Sequence, residues 1–428
     1  MAGGASETEP GGGEGGPGVR AGLGHRRWWV LGAHVAGSSL VQAPLMASVF
    51  MLPVVARKHF GAGDWETLAI TALPNAMFVT SIFWNGLLER WRTGPFLLVY
   101  WVCVGGPMLA TSGVTSLWAV LALHAVLSVG VSGYIPVSGD LLRRLYPEKA
   151  RGRVYAVLLG ANMVALAAAT RAVGAWLDRD PEAFRVYMPL AGVMALAGCG
   201  VLGALSGLGG GRGPRGRSER VSWRGVVSPV LHMREVLRGD PVFARYEGAF
   251  MTYGVGWMIC AALLPILATD RLGLTYDQTG SSTQVAYAWA IVAALAPFGL
   301  LIDRIGPIRT SGLAFLGLSA YPIGLMLADG PLGLTAASVA YGIAHAGVSV
   351  GWMVGPVSLA PTREKAGQYA AIHATLVGVR GALFQFLGVW LYQLTGTFAW
   401  PLGLAAVSFV WAWRQMGALD RRVRSPGS

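Results

Sequence analysis

His124-Ala125-Val126-Leu127-Ser128-Val129-Gly130 and His345-Ala346-Gly347-Val348-Ser349-Val350-Gly351 are two versions of one phrase, each followed by Pro-Val-Ser, at 136–138 and 356–358. Outward from this pair the match continues in the same order at nearly constant spacing. Upstream, Leu52-Pro53-Val54-Val55-Ala56 answers Leu264-Pro265-Ile266-Leu267-Ala268, and Gly86-Leu87-Leu88-Glu89-Arg90 answers Gly299-Leu300-Leu301-Ile302-Asp303-Arg304. Downstream, Glu148-Lys149-Ala150 answers Glu364-Lys365-Ala366, and Gly174-Ala175-Trp176-Leu177 answers Gly388-Val389-Trp390-Leu391. One such match is within reach of chance; a series in register marks an internal repeat.

The repeat is embedded in an unusually apolar chain. Its 428 residues are 54% hydrophobic and 13% charged, against about 25% charged in an average soluble domain. Most of the chain must therefore face lipid, and at about 20 apolar residues per crossing there is room for roughly twelve spans and no large soluble domain. Apolar runs between charged breaks predict spans 1 to 6 at 28–56, 67–88, 95–112, 115–138, 153–177 and 185–206, and spans 7 to 12 at 243–268, 278–302, 308–327, 331–357, 368–393 and 396–414. Backbone groups in hydrocarbon must bond internally, and these runs are too long for barrel strands, so the predicted class is all-α. Six spans separate each repeated pair, so the two halves point the same way, related by an axis along the membrane normal.

The predicted organisation is a disordered cytoplasmic tail at 1–27, a six-helix bundle at 28–206, a cytoplasmic linker at 207–242, a second bundle at 243–415 and a cytoplasmic tail at 416–428. The linker carries Arg212, Arg215, Arg217, Arg220 and Arg224, then a candidate amphipathic stretch at 230–237. With both termini cytoplasmic, 26 of the 33 Lys and Arg fall on the inner side. Five fall outside (Arg57, Lys58, Arg179, Arg185 and Arg271), and Arg171 and Arg380 fall within spans. That asymmetry follows the positive-inside rule and accounts for the net charge of +12 without a nucleic-acid partner. Cys103, Cys199 and Cys260 lie in apolar runs without metal-ligand spacing, so neither a disulfide framework, a metal site nor any cofactor is expected.

At this point the chain resembles a member of the major facilitator superfamily, over almost all of residues 28–415. The resemblance rests on Gly299-Leu300-Leu301-Ile302-Asp303-Arg304-Ile305-Gly306-Pro307-Ile308-Arg309, which fits the family's G-x-L-x-D-R-x-G-x-x-R loop after span 8; Glu89-Arg90 with Arg92 is a degenerate counterpart after span 2. It implies that Asp303, Arg304, Arg309, Glu89 and Arg90 form a cytoplasmic gate. The acid would sit against a helix N-terminus and the arginines would pair across the loop, locking the outward-open state. The other reading of Asp303 and Arg304 is a tight-turn anchor without gating. Thr170-Arg171-Ala172-Val173-Gly174-Ala175 stands where the drug-antiporter branch carries G-P-x-x-G-G, which argues against a proton-coupled drug exporter.

Candidate cavity residues are polar groups far from span ends. Arg380 lies deep in span 11, and two readings stand side by side: a bidentate clamp for a substrate carboxylate or phosphate, or a guanidinium bonded to backbone carbonyls and polar neighbours. His124 and His345 hold matching repeat positions, and His373 precedes Arg380 by seven residues on the same helix face. Asn162 and Gln385 add neutral hydrogen-bonding capacity, for a cavity or as interhelical glue. Arg171 is expected to snorkel to the outer surface, and Gly347, Gly351 and Gly355 to mark close packing of span 10. No Asp or Glu is placed in the middle of a predicted span, so proton coupling would fall to a histidine.

Gly347-Val348-Ser349-Val350-Gly351 fits G-x-S-x-G but lies inside a span, and Gly211-Arg212-Gly213-Pro214-Arg215-Gly216 fits G-x-G-x-x-G without a preceding strand, so neither supports an enzyme. The reading is a secondary active or facilitative transporter of a small polar or anionic solute by alternating access. It would act as a monomer in the bilayer of a bacterial cytoplasmic membrane, with or without a co-transported ion. The alternatives are a membrane enzyme acting on lipid and a non-transporting receptor or assembly factor of the same build.

Overall fold

A computed structural model describes residues 17–208, 233–362 and 365–424. The predicted tail up to residue 16, the arginine-rich part of the linker at 209–232 and the last residues, 425–428, lie outside them. The described residues are helical throughout, without strands. In chain order they form α1 (Pro17–Phe60), α2 (Asp64–Ala76), a 3-10 turn (Met77–Thr80), α3 (Ser81–Arg90), α4 (Thr93–Ala110), α5 (Leu117–Val131), α6 (Tyr134–Leu145), α7 (Glu148–Arg179) and α8 (Phe184–Leu208). A short helix α9 (233–239) precedes α10 (Pro241–Ile266), α11 (Tyr276–Gly280), α12 (Ala286–Leu318), α13 (Ala320–Leu327), α14 (Pro331–Leu359), α15 (Ala366–Thr395) and α16 (Ala399–Arg424).

Among the described residues nine segments are long and apolar enough to cross a membrane. The predicted spans 278–302 and 308–327 run together as one of them, Tyr276–Leu327, of 52 residues. The chain turns within it at Gly306, whose φ of 81° and ψ of 167° only glycine adopts without strain, and Pro307 begins the next limb with a φ suited to a helix start. The predicted spans 67–88 and 396–414 are helical but fall outside the nine; the first is divided by the 3-10 turn between α2 and α3.

Local signals set the helix ends. Asp240 caps α10 by accepting from the backbone N–H groups of Val242 (3.1 Å) and Phe243 (2.9 Å), with Pro241 in the first turn. Thr275 and Gln278 form a reciprocal capping box at the start of α11. Large apolar side chains such as Trp118, Leu332, Leu327 and Trp400 stand exposed on the outside, the surface that lipid covers.

Helix contacts repeat as the sequence does. α1 packs on α7 and α8, and α10 packs in the same way on α15 and α16. Glycines permit the approach at both places. A Cβ on Gly198 of α8 would lie 2.7 Å from the Gly37 carbonyl oxygen of α1, and one on Gly256 of α10 would lie 2.7 Å from the Ala405 carbonyl oxygen of α16. The Gly347, Gly351 and Gly355 stripe seats Phe298, Ser311 and Tyr246 against α14. In hydrocarbon, helix association depends on such close packing because lipid tails are as apolar as leucine. Gly198→Leu and Gly256→Leu are each expected to lower stability by about 1–3 kcal/mol through overpacking, read as a fall in the thermal unfolding midpoint of the purified protein.

Candidate functional site

A polar buried region lies between α10, α14 and α15. Arg380 of α15 is 2% exposed, and it lies across Gly254 of α10, where a Cβ would fall 2.4 Å from the Arg380 Cδ. Its Nη1 donates to the Phe250 carbonyl oxygen at 2.8 Å. The guanidinium sits over the rings of Tyr253, 5.1 Å to the centroid, and Trp257, 5.6 Å, an electrostatic contact with the aromatic faces. Its Nε has no hydrogen-bond partner among the described residues. Of the two sequence readings, bonding to a backbone carbonyl is thus present, and one donor is left over.

Two turns back on α15, His373 Nδ1 lies 2.9 Å from both carboxylate oxygens of Glu247 on α10. Glu247 stands in the second turn of α10, near the end of the span, as the sequence reading places it. The predicted span starts at 243, which makes Glu247 a near-terminal residue, but α9 and the Asp240 cap precede it and the side chain is buried at 2% exposure. No sequence spacing joins it to His373, which is 126 residues away. A second omission has a visible signal: Tyr246, Phe250, Tyr253 and Trp257 recur at helical spacing on one face of α10, and the last two lie against Arg380.

His345 joins this region. Its Nδ1 lies 2.9 Å from the Tyr287 hydroxyl, and its ring stacks on Tyr341, which accepts a 2.7 Å hydrogen bond from Trp257 Nε1. His124 does not join it: Nε2 lies 2.8 Å from the Ile70 carbonyl oxygen, binding α5 to α2. The matching histidines therefore play matching parts, each tying a helix to a neighbour within its own half. Asn162 accepts from Ser39 at 2.8 Å and links α7 to α1. Gln385 lies 3.3 Å from the Thr71 carbonyl oxygen and 3.6 Å from Met258 Sδ, so it spans the two halves between α2 and α10.

The halves are bonded where α1 and α10 both finish. Arg57 donates to Asp64 (2.9 Å) and, from Nε, to Asp270 (3.1 Å) of the other half; Lys58 reaches the Leu274 carbonyl and Gln393 reaches Asp64. Asp178, at the end of α7, accepts from Thr275 Oγ1 (2.7 Å) and from the backbone N–H groups of Tyr276 (2.7 Å) and Asp277 (3.1 Å), an anion placed on the N-terminus of α11. Arg171 is exposed and bonds Asp277 (2.7 Å) and Ser281 (2.8 Å) across the halves, so it is an interface residue.

At the opposite end Asp303 and Arg304 are exposed, beside the Gly306 turn. Arg309 donates to Asp420 at 2.6 Å, a partner from α16 that the loop motif does not contain, and Arg424 donates to the other Asp420 oxygen at 3.0 Å. Arg90 is exposed at the end of α3, and the side chain of Glu89 lies outside the described residues. A cavity of about 990 Å³ opens beside Arg309, Trp411, Arg414 and Asp420, away from Arg380.

The profile described as Major Facilitator Superfamily matches residues 35–385. No curated protein sequence matches the chain. Among solved structures, the chain is similar to a POT family transporter in complex with a thioalcohol conjugated peptide, at TM-score 0.69 and 14% identity, covering 92% of this chain and 96% of that one. It is also similar to a mutant of the nucleoside transporter NupG (TM-score 0.69, 12% identity, 91% of this chain and 99% of that one). A third is the human organic anion transporter MFSD10 (TETRAN), at TM-score 0.64 and 16% identity, with 91% and 99% covered. At these identities the likeness is one of fold.

Asp420 lies beyond the last apolar run. Burial would raise its pKa, but the hydrogen bonds and charges of Arg309 and Arg424 outweigh that and hold the carboxyl below the usual range. A depressed folded value contributes stability that is full above the unfolded value of about 4 and is lost as pH falls through the folded one. The unfolding midpoint should therefore fall on acidification below about pH 4 by less in Asp420→Asn than in the wild type, measured side by side.

Proposed function

The chain belongs to the Major Facilitator Superfamily, and from that membership we propose that it carries a small polar, anionic solute across the membrane by alternating access, with Arg380 as the anion ligand. The architecture we propose is twelve spans in two six-helix bundles, 28–206 and 243–415, related by a parallel pseudo-two-fold axis. Support comes from the repeated contacts of α1 and α10 and from the meeting of their C-terminal ends at Arg57 and Asp270. Reading the Gly306 turn as the loop between spans 8 and 9, and α2 to α3 and α16 as crossings, brings the nine apolar segments to twelve. Both termini are then cytoplasmic, in keeping with the distribution of basic residues, and the membrane proposed is a bacterial cytoplasmic one.

One observation carries the substrate class. Arg380 is a buried guanidinium with no carboxylate at salt-bridge distance among the described residues and with an unused donor at Nε. The rings of Tyr253 and Trp257 lie against the planar group. A carboxylate or phosphate arriving there would meet a fork of donors in a low-dielectric setting, where charge-assisted hydrogen bonds are strongest. The Asp178 contact, with Arg57 and Arg171, is the gate of the outer face, closed in this conformation.

Vesicles containing the purified protein, screened for uptake of organic acids and sugar phosphates, test the ligand. Arg380→Ala should weaken the apparent affinity for the transported anion about 10- to 100-fold, the equivalent of one hydrogen bond to a charged group; equal uptake by both forms removes Arg380 from the site. For the gate, Asp178→Asn should open the outer face. Spin labels at the exposed Thr115 and Asp329 would then report a larger population of long distances than in the unsubstituted protein.

A further inference from the structure

The cavity beside Arg309 is a recess between the limb of α12 that follows Gly306 and the last turns of α16. Its volume of about 990 Å³ lies at the top of the range that ligand sites occupy, about 300–1,000 Å³. Gly312 brings the two helices together on its wall, where a Cβ would lie 3.1 Å from the Met416 Cβ. Three cations and one anion line the recess: Arg309, Arg414, Arg421 and Asp420. Asp420 is already engaged, by Arg309 at 2.6 Å and by Arg424 at 3.0 Å. No hydrogen bond or ion pair holds the side chain of Arg414 or of Arg421 among the described residues. On the same wall the Gln415 Oε1 is buried without a hydrogen-bond partner. Two unengaged guanidinium groups at one recess attract an anion, and a buried acceptor beside them suits a hydroxyl donor.

Position along the two helices selects the kind of anion. On α16, Trp411, Arg414, Ala418 and Arg421 follow one another at helical spacing on one face, and all four line the recess. From the middle of that helix to its end the order is therefore apolar, then basic. The limb of α12 has the same order by depth, because Arg309 stands just past the Gly306 turn and Leu313 lies one helical turn deeper. Trp411 and Leu313 are both exposed on the outer surface. A soluble phosphate ester would engage the arginines and leave the apolar half of the recess bare. An anionic phospholipid would match both halves, with its phosphate at Arg414 and Arg421, its headgroup hydroxyl at Gln415 and its acyl chains along Trp411 and Leu313.

We propose that the recess between α12 and α16 binds an anionic phospholipid of the leaflet in which α16 ends, held by Arg414 and Arg421 through its phosphate. A hydroxyl-bearing headgroup such as that of phosphatidylglycerol fits the Gln415 acceptor. The site takes α16 as a crossing, as in the proposed twelve-span architecture, and makes no use of Arg380.

Native mass spectrometry of the purified full chain in detergent, titrated with phosphatidylglycerol or phosphatidylcholine of equal chain length, reads bound lipid directly. The wild type should bind phosphatidylglycerol at least about tenfold more tightly than phosphatidylcholine. Arg414→Gln and Arg421→Gln should each lower the affinity for phosphatidylglycerol about fivefold, the effect of one basic side chain at an anionic lipid surface. Arg422→Gln removes the same charge from an exposed position outside the recess and should leave that affinity unchanged. Ala418→Phe fills the recess without altering charge and should also weaken binding. Equal affinity for the two lipids in the wild type overturns the proposal, as does a loss in Arg422→Gln as large as that in Arg421→Gln, the mark of a diffuse basic surface. Displacement of the lipid by free glycerol 3-phosphate overturns it in favour of a soluble ester, and a dimeric mass without lipid does so in favour of a second copy of this chain. Any of these failures leaves the anion-transport reading untouched, because the measurement involves neither Arg380 nor uptake.

Discussion

A peptide group in hydrocarbon has no water to bond, so every N–H and C=O of a crossing segment must be satisfied by the segment itself or covered by protein. The helices of this chain obey the first condition along most of their length, and their irregular places obey the second. The 3-10 turn between α2 and α3 is covered by α15, whose Gly378 brings its backbone close enough that a Cβ would fall 3.2 Å from the Val79 nitrogen. The wider turn of Ser281–Val285, between α11 and α12, is covered by α7, where Gly280 meets Thr170. Both irregular places lie where one half touches the other.

The scaffold is repeated, but its buried charge is not. In the register that aligns Gly174 with Gly388, the residues matching His373 and Arg380 are Leu159 and Leu166. The histidines of the founding repeat phrase, His124 and His345, each bond a neighbouring helix of the same half. Glu247, His373 and Arg380 belong to the C-terminal half alone, and a buried charge persists only with partners, which α10 and α15 supply to each other.

The two ends of the molecule use the same electrostatic device differently. At the end where α1 finishes, Asp178 sits on the exposed N–H groups of α11 and joins the halves. At the other, the acid and base that draw Arg309 into a network, Asp420 and Arg424, come from the same half. A contact between halves biases a conformational equilibrium because it exists in one state only, whereas a contact within a half is present in both and stabilises the bundle without choosing between states.

The amino-acid sequence by itself determined the helical class and the membrane setting. Each follows from composition and from apolar runs of fixed length along the chain. It also singled out Arg380 and His373, because a polar side chain deep in an apolar run is conspicuous wherever it points. Tertiary structure alone decided that Glu247 meets His373, that Asp178 caps a helix of the other half, that Arg309 turns to Asp420, that His124 meets the Ile70 carbonyl and that Asn162 accepts from Ser39. Those pairings join residues on different helices, and the rotation of one helix about its axis against another is fixed by the fit of side chains across the whole interface rather than by any spacing along the chain.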